Sequence, residues 1–118
     1  MMNITPESVF SALANSMRLR CVLLLQKNGE LCVCELTQSM DVAQPNMSRN
    51  LALLREAELV SDRRDGQWIY YRINPDLPDW VQSILEITAS ASEKIDLYHT
   101  DQNNLAAILK TSSGKRCA

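Results

Sequence analysis

The 118-residue sequence has only three glycines and four prolines, and it lacks a long uninterrupted apolar run. The scarcity of glycine and proline excludes collagen-like and low-complexity chains, and the hydrophobic content of 46% excludes a disordered chain. No apolar stretch approaches the roughly 18 residues that span a bilayer. The segment 1–6 also lacks the basic and apolar regions of a signal peptide. We therefore expect a cytoplasmic protein that contacts no membrane.

The sequence also lacks an excess of basic residues, since 12 lysines and arginines stand against 14 acidic residues, for a net charge of -2. That balance argues against a protein that coats nucleic acid by bulk charge, whereas specific DNA binding through a few placed groups stays open. His99 is the one histidine, and no pair of nucleophile and general base can be identified. We therefore expect no enzyme.

Helix and strand signals predict one domain, residues 1–110, followed by a polar tail, residues 111–118, that we expect to be disordered. Capping residues and apolar periodicity predict helices over residues 6–14, 16–28, 31–40 and 44–57. A further helix of about 25–30 residues is predicted from residue 77 or 78 onward. Two β-rich runs, residues 59–64 and 67–73, flank Asp65-Gly66, a strong hairpin signal. The fold is therefore predicted to be mainly α with a small β-hairpin.

Residues 31–57 have the organisation of a helix-turn-helix, with a short helix, a tight turn at residues 41–43 and a second helix. Within the second helix, Met47, Leu51 and Leu54 lie at i, i+4 and i+7 and form an apolar stripe. The hairpin after it is predicted to be a wing. A winged helix-turn-helix places its second helix in the major groove of DNA.

Polar residues in the first turns of this second helix have the chemistry to read DNA. Arginine pairs with guanine, glutamine and asparagine pair with adenine, and serine can reach a base or a phosphate. In the wing, arginines just before the turn can reach phosphates or a narrow minor groove. The predicted DNA-contacting residues are Gln44, Asn46, Ser48, Arg49, Asn50, Arg63 and Arg64.

The predicted last helix carries more apolar surface than so small a domain can bury. Its stripe includes Val81, Leu85 and Ile95 at helical spacing. We therefore expect a homodimer formed through the terminal helices. Such a dimer would present two recognition helices to a palindromic site on double-stranded operator DNA.

Four segments resemble one known family. Residues 13–20 (LANSMRLR) are similar to the start of its second helix, residues 44–55 (QPNMSRNLALLR) to its recognition helix, and residues 65–72 (DGQWIYYR) to its wing. These segments resemble the ArsR/SmtB winged-helix repressors. Residues 30–36 (ELCVCEL) resemble the arsenic-responsive members, in which such thiols bind trivalent arsenic or antimony. The resemblance implies a repressor that leaves its operator when As(III) or Sb(III) binds Cys32 and Cys34.

The spacing of Cys32 and Cys34 limits the backbone that could present both sulfurs to one ion. Residues two apart point about 200° apart around a helix but to the same side of an extended segment. Chelation therefore favours an unwound start to the third helix. Because that helix directly precedes the recognition helix, ligand binding there would shift the equilibrium between conformations that bind DNA and conformations that do not.

The third ligand and the other cysteines are less constrained. Arsenic-responsive members commonly have a third cysteine three residues after the second, where this chain has Thr37. Cys117, a small cellular thiol or a hydroxide could complete the site, or two sulfurs could suffice. Cys21 lies in the apolar second helix and is expected to be buried in the core. Asp96 and His99 have the spacing of half a zinc site, but without a second histidine we expect none there.

Two other functions would use the same residues. The thiols could sense cadmium, lead, bismuth or oxidants in an otherwise unchanged repressor, although a disulfide between Cys32 and Cys34 would close a small strained ring. The chain could instead be a thiol oxidoreductase or metal carrier that uses the winged helix for protein contacts only. Redox enzymes favour Cys-x-x-Cys near a βαβ unit, which this sequence lacks.

Overall fold

The computed structural model describes residues 3–112, which form six helices and three strands. The chain order of the elements follows the predicted winged helix-turn-helix. In that order the elements are α1 (Pro6–Leu13), α2 (Ser16–Asn28), β1 (Leu31–Cys32), α3 (Val33–Met40), α4 (Gln44–Glu56), β2 (Val60–Asp65), β3 (Trp68–Ile73), α5 (Asp79–Ser92) and α6 (Asp96–Ser112).

Side-chain caps begin the first two helices where the sequence predicts them. Thr5 Oγ1 accepts a hydrogen bond from the Ser8 amide at 3.1 Å, and Ser8 Oγ accepts one from the Thr5 amide at 3.0 Å. At the start of α2, Asn15 Oδ1 accepts from the Arg18 amide at 3.1 Å. Gly29 ends α2 with a φ of 78°, which side-chain-bearing residues rarely adopt. The helices predicted over residues 6–14, 16–28 and 44–57 are confirmed to within one residue.

The sheet has three antiparallel strands in the order β1-β3-β2, one more than the predicted hairpin. Leu31 and Cys32 were expected to begin a helix, but they pair with Tyr71 and Tyr70. The prediction was wrong for these two residues because a partner about 40 residues away leaves no local sequence signal. Asp65 pairs with Trp68, so the turn lies at Gly66 and Gln67, one residue later than the predicted break.

The core contains buried side chains from all six helices and from the sheet, with the largest share from α2 and α4. Met47, Leu51 and Leu54 of α4 are fully buried, which confirms the predicted apolar stripe. The apolar run from Cys21 to Leu25 in α2 is buried with them. Among the described residues no single helix is long and apolar enough to cross a membrane; only α1 and α2 together would pass on length and composition, as a pair bent by 101°.

The prediction of one long last helix is wrong, because α5 and α6 stand in its place. α5 ends at Ser92, whose carbonyl accepts a hydrogen bond from the Ile95 amide at 3.0 Å in the connecting turn. α6 then packs against α3 and buries Leu105 completely. Ile95 keeps the helical spacing across the break, so periodicity alone conceals the turn. α6 extends to Ser112, two residues past the predicted domain boundary, and residues 113–118 of the predicted tail lie outside the described residues.

One buried ion pair connects α2 to α3 and α6. Arg20 donates from Nε and Nη2 to the two carboxylate oxygens of Asp101, both at 2.8 Å, and from Nη2 to the Met40 carbonyl at 3.2 Å. Asp101 is only 2% exposed. The hydrogen bond with Asp101 raises the pKa of Arg20, which keeps the guanidinium charged. This pair therefore fixes α6 against the helix-turn-helix.

We expect Asp101→Ala to lower the free energy of unfolding by about 3 kcal/mol, because it leaves the Arg20 charge without its partner in a mostly buried site. Urea unfolding followed by circular dichroism measures the loss. The matched control is Asp62→Ala, which removes the carboxylate 3.0 Å from Arg55, where the two side chains are 33% and 49% exposed. That change should cost at most about 1 kcal/mol. Equal losses in the two variants would contradict the role of burial.

Candidate functional site

The first turns of α4 present polar side chains to solvent. Gln44, Asn46, Ser48 and Arg49 are all exposed, as the sequence predicts for a surface that reads DNA. Arg49 Nη2 donates to Asn46 Oδ1 at 2.9 Å, so these two side chains form one hydrogen-bonded group. The tight turn before α4 includes Asp41 in the left-handed conformation, with a φ of 52°. The turn and the buried stripe of α4 together orient this polar face outward.

Asn50 is the exception among the predicted DNA-contacting residues of α4, because its side chain is buried and 7% exposed. Its Oδ1 accepts from Arg18 Nη1 at 3.0 Å, and its Nδ2 donates to the Asn46 carbonyl at 2.8 Å and lies 3.2 Å from Met17 Sδ. Asn50 lies three residues after Met47 and therefore shares the inward face of the helix. The placement of Asn50 on the exposed face was wrong because it followed residue type and not helical position.

Arg18 is a functional candidate that the sequence reasoning missed. Besides Asn50, it donates from Nε to the Ala12 carbonyl at 2.7 Å and from Nη2 to the Ser11 carbonyl at 3.4 Å. Arg18 thus joins the C-terminal end of α1 to the middle of α4. The available signal was a charged residue among the apolar residues of α2, since a partly buried charge needs partners.

The two wing arginines are exposed on β2, but they differ in their surroundings. Arg63 donates to both carboxylate oxygens of Glu30 at 2.6 and 2.8 Å, and its guanidinium lies 4.5 Å from the centre of the Tyr70 ring. The hydrogen bond with Glu30 raises the pKa of Arg63. Arg64 lies on the opposite face of the strand. Glu30, which the sequence reasoning did not single out, therefore holds the guanidinium of Arg63.

The sulfurs of Cys32 and Cys34 lie 3.2 Å apart. Cys34 is disulfide-bonded in this structure, so both side chains are thiols only after reduction. Cys32 belongs to β1 and has an extended backbone, with φ of -74° and ψ of 149°, whereas Cys34 is the second residue of α3. The structure therefore begins the helix after Cys32, where the sequence predicts an unwound start for chelation. A regular helix through both residues would have separated the two sulfurs.

Once Cys34 is reduced, the donor set of Cys32 and Cys34 fits one soft ion. Metal–sulfur bonds of about 2.3 Å allow two sulfurs on one ion to lie at most about 4.6 Å apart, and the observed 3.2 Å is within that limit. Thiolate ligands select soft ions. Thr37, one turn after Cys34, donates its hydroxyl to the Val33 carbonyl at 2.7 Å. Within residues 3–112 no group of three or more histidine, cysteine or acidic side chains could hold a metal, and Cys117 lies outside those residues.

Cys21 is separate from the thiol pair and is fully buried, which confirms the expectation of a core residue. Its sulfur lies 3.4 Å from Met47 Sδ and 3.9 Å from Met40 Sδ. Burial raises the pKa of Cys21 to about 12, so this thiol stays neutral near neutral pH. Because thiolates and not thiols bind metal ions, Cys21 is no candidate ligand. His99 is exposed on α6, where Asp96 is the first residue.

The sequence is similar to a family of bacterial regulatory proteins. The model of a family described as "Bacterial regulatory protein, arsR family" matches residues 15–62. The sequence is 48% identical over 91 residues to the arsenic resistance transcriptional regulator ArsR1 of Pseudomonas putida, covering 77% of this chain and 71% of that protein. It is 38% identical over 113 residues to the arsenical resistance operon repressor of Escherichia coli, covering 96% and 89%.

Solved structures are also similar. HlyU from Vibrio cholerae superposes with a TM-score of 0.64 at 30% identity, covering 71% of this chain and 87% of that one. The AntR antimony-specific transcriptional repressor superposes with a TM-score of 0.62 at 28% identity, covering 80% and 87%. Each superposition covers most of the solved structure.

Proposed function

Because this chain belongs to the ArsR family of bacterial transcriptional regulators, we propose that it is a dimeric repressor that leaves its operator when trivalent arsenic or antimony binds Cys32 and Cys34. Proteins of this family are DNA-binding winged helix-turn-helix regulators and not enzymes. The observation that carries the proposal is the 3.2 Å separation of the two sulfurs at the start of α3. α3 directly precedes the recognition helix α4 in the chain and packs against it.

The local backbone positions the two sulfurs at the start of α3. Cys34 lies in the first turn of α3, and Cys32 lies directly before that helix. The Cys32 amide donates to Glu35 Oε1 at 2.7 Å, which holds the start of the helix in place. A bound trivalent metalloid would supply strong bonds to both sulfurs. Cys32 and Cys34 would then hold the turn between β1 and α3 in one conformation.

The relatives support a metalloid as the inducer. Two of them are named for resistance to arsenic, at 48% and 38% identity, and a structural neighbour is named for antimony. Since Thr37 carries no thiol, two cysteines would bind the ion within the described residues. Either Cys117, a small thiol or a hydroxide would complete its coordination, or the two sulfurs would suffice. Cadmium, lead, bismuth and oxidants are the alternative signals at the same sulfurs.

Operator binding would use the exposed polar face of α4 and the wing. Gln44, Asn46, Ser48 and Arg49 offer the hydrogen-bonding groups that read base edges in a major groove. Arg63 and Arg64 would contact the DNA backbone beside that groove. Asn50 and Arg18 would act indirectly, because their hydrogen bonds fix α4 against the end of α1.

Dimerisation is supported by apolar side chains that the described residues leave exposed on the terminal helices. Phe10 of α1 is 55% exposed, Ile87 of α5 is 69% exposed, and Ile95 and Leu97 near the start of α6 are 49% and 42% exposed. Such side chains are typical of surfaces that bury themselves against a second protein. A symmetric dimer would bring two α4 helices to the two halves of a palindromic operator.

Operator DNA binding by reduced protein, titrated with arsenite and antimonite, tests the thiol pair directly. We expect both ions to release DNA from the parent but not from Cys32→Ser or Cys34→Ser, which each lose one ligand. Release from Cys117→Ser as well would show that two sulfurs suffice. Cadmium, zinc and peroxide identify the alternative signals in the same titration. If arsenite released DNA equally well from the Cys32→Ser and Cys34→Ser proteins, the proposed site would be wrong.

For the DNA interface, we expect Arg49→Ala to weaken operator binding by about 1–3 kcal/mol, because a bidentate contact with guanine would be lost. Fluorescence anisotropy at fixed salt measures the change. Arg49→Lys keeps the charge without the bidentate geometry, so it should lose sequence discrimination while it keeps most non-specific affinity. Arg55→Ala, at the other end of α4, is the matched control. Full affinity in the Arg49→Ala protein would show that other residues contact the bases.

Analytical ultracentrifugation tests the dimer. We expect the parent to sediment at twice the chain mass and Ile87→Glu to sediment as a monomer, because a charge would be buried in the apolar interface. Leu53→Glu introduces the same charge at an apolar side chain on α4 that is 42% exposed, and it should stay dimeric. A monomeric parent at micromolar concentration would contradict the proposal.

A further inference from the structure

Cys32 and the wing arginine Arg63 lie in one row of the sheet. Cys32 of β1 is paired with Tyr70 of β3, and Tyr70 is paired with Arg63 of β2. Cross-strand neighbours in such a row are held at short distance by the hydrogen bonds of the ladder. One residue of β3 therefore separates a cysteine of the candidate sensor site from a cation of the candidate DNA surface.

Glu30 makes a second connection between the same two places. It precedes Cys32 by two residues, and its carboxylate accepts both hydrogen bonds from Arg63, at 2.6 and 2.8 Å. The guanidinium also lies 4.5 Å from the centre of the Tyr70 ring. A bidentate carboxylate pair with a stacked ring fixes the position of an arginine far better than a single contact does. Arg63 is therefore held against the strand that carries Cys32.

The neighbouring row of the sheet leads to the recognition helix. Leu31 pairs with Tyr71, and Tyr71 pairs with Asp62. Asp62 in turn accepts a hydrogen bond from Arg55 of α4 at 3.0 Å. Both residues of β1 thus connect to a charged side chain, Cys32 to Arg63 in the wing and Leu31 to Arg55 at the end of α4 opposite its polar first turns.

We infer that Glu30 is a positioning residue that couples strand β1 to the wing. The state of Cys32 thereby decides whether the Arg63 guanidinium is bound to Glu30 or is available to a DNA phosphate. While Glu30 holds Arg63, the carboxylate competes with a DNA phosphate for the same guanidinium. A displacement of β1 moves Glu30 and changes this competition. The link to Cys32 rests on the proposed function, whereas the competition between Glu30 and phosphate does not.

The competition is tested without any metalloid, by the salt dependence of operator binding. Glu30→Gln removes the bidentate carboxylate from Arg63 and leaves only the exposed Asp65 carboxylate, 3.9 Å from Nη1, beside it. Arg63 can then contact one additional phosphate, so the slope of log K against log salt should become steeper by about 0.9. The double variant Glu30→Gln/Arg63→Gln should return to the parental slope, and Glu30→Asp, which keeps the carboxylate, should stay closer to it. Asp62→Asn is the matched control for loss of a wing carboxylate. An unchanged slope in Glu30→Gln would overturn the inference.

The coupling is tested by amide hydrogen exchange of residues 60–73 in reduced, full-length protein with and without arsenite. Binding is followed separately by protection of the two thiols from alkylation. We expect arsenite to change wing exchange in the parent, and Glu30→Gln to bind arsenite equally while it loses most of that change. Bound arsenite with no change in parental wing exchange would overturn the coupling but leave the proposed function intact. Thiols that bind no arsenite would overturn the proposed function, and the salt slope would then decide the role of Glu30.

Discussion

The pairing of β1 with β3 is the constraint on which the functional surfaces depend. Because Leu31 and Cys32 join the sheet, the backbone stays extended up to Cys32 and α3 begins only at Val33. This arrangement brings the sulfurs of Cys32 and Cys34 to 3.2 Å, which a continuous helix through both would prevent. The same two residues attach the start of α3 to the wing. A strand of two residues thus defines the placement of the two sulfurs and their connection to the wing.

Burial separates the charged groups into two roles. Arg20 and Asp101 form a mostly enclosed pair that holds α6 against the helix-turn-helix, and the loss of one partner leaves an uncompensated charge. Arg63 and Glu30 form a partly exposed pair at the wing, where solvent weakens the attraction and a phosphate can replace the carboxylate. The chain has a net charge of -2, so its DNA binding depends on where its few exposed cations lie.

Sequence reasoning was reliable where the signal was local. The caps at Thr5 and Asn15 and the stripe of α4 follow from neighbouring residues, and the structure has them as predicted. It was wrong where a distant partner decides the outcome. Asn50 was assigned to the exposed face by residue type, but helical position and the Arg18 side chain place it inside. The break between α5 and α6 was missed because apolar spacing continues across it.

The sequence by itself determined the helices and hairpin of the winged helix-turn-helix, the polar start of α4, the burial of Cys21 and the two-residue spacing of Cys32 and Cys34, because each depends on local patterns. Only the tertiary structure decided that Cys32 lies in a strand, that Glu30 holds Arg63 and that Arg20 holds Asp101. Glu30 and Arg63 are 33 positions apart, Cys32 and Tyr70 are 38 apart, and Arg20 and Asp101 are 81 apart. Only packing of the whole chain brings such residues together, so no local pattern could reveal them.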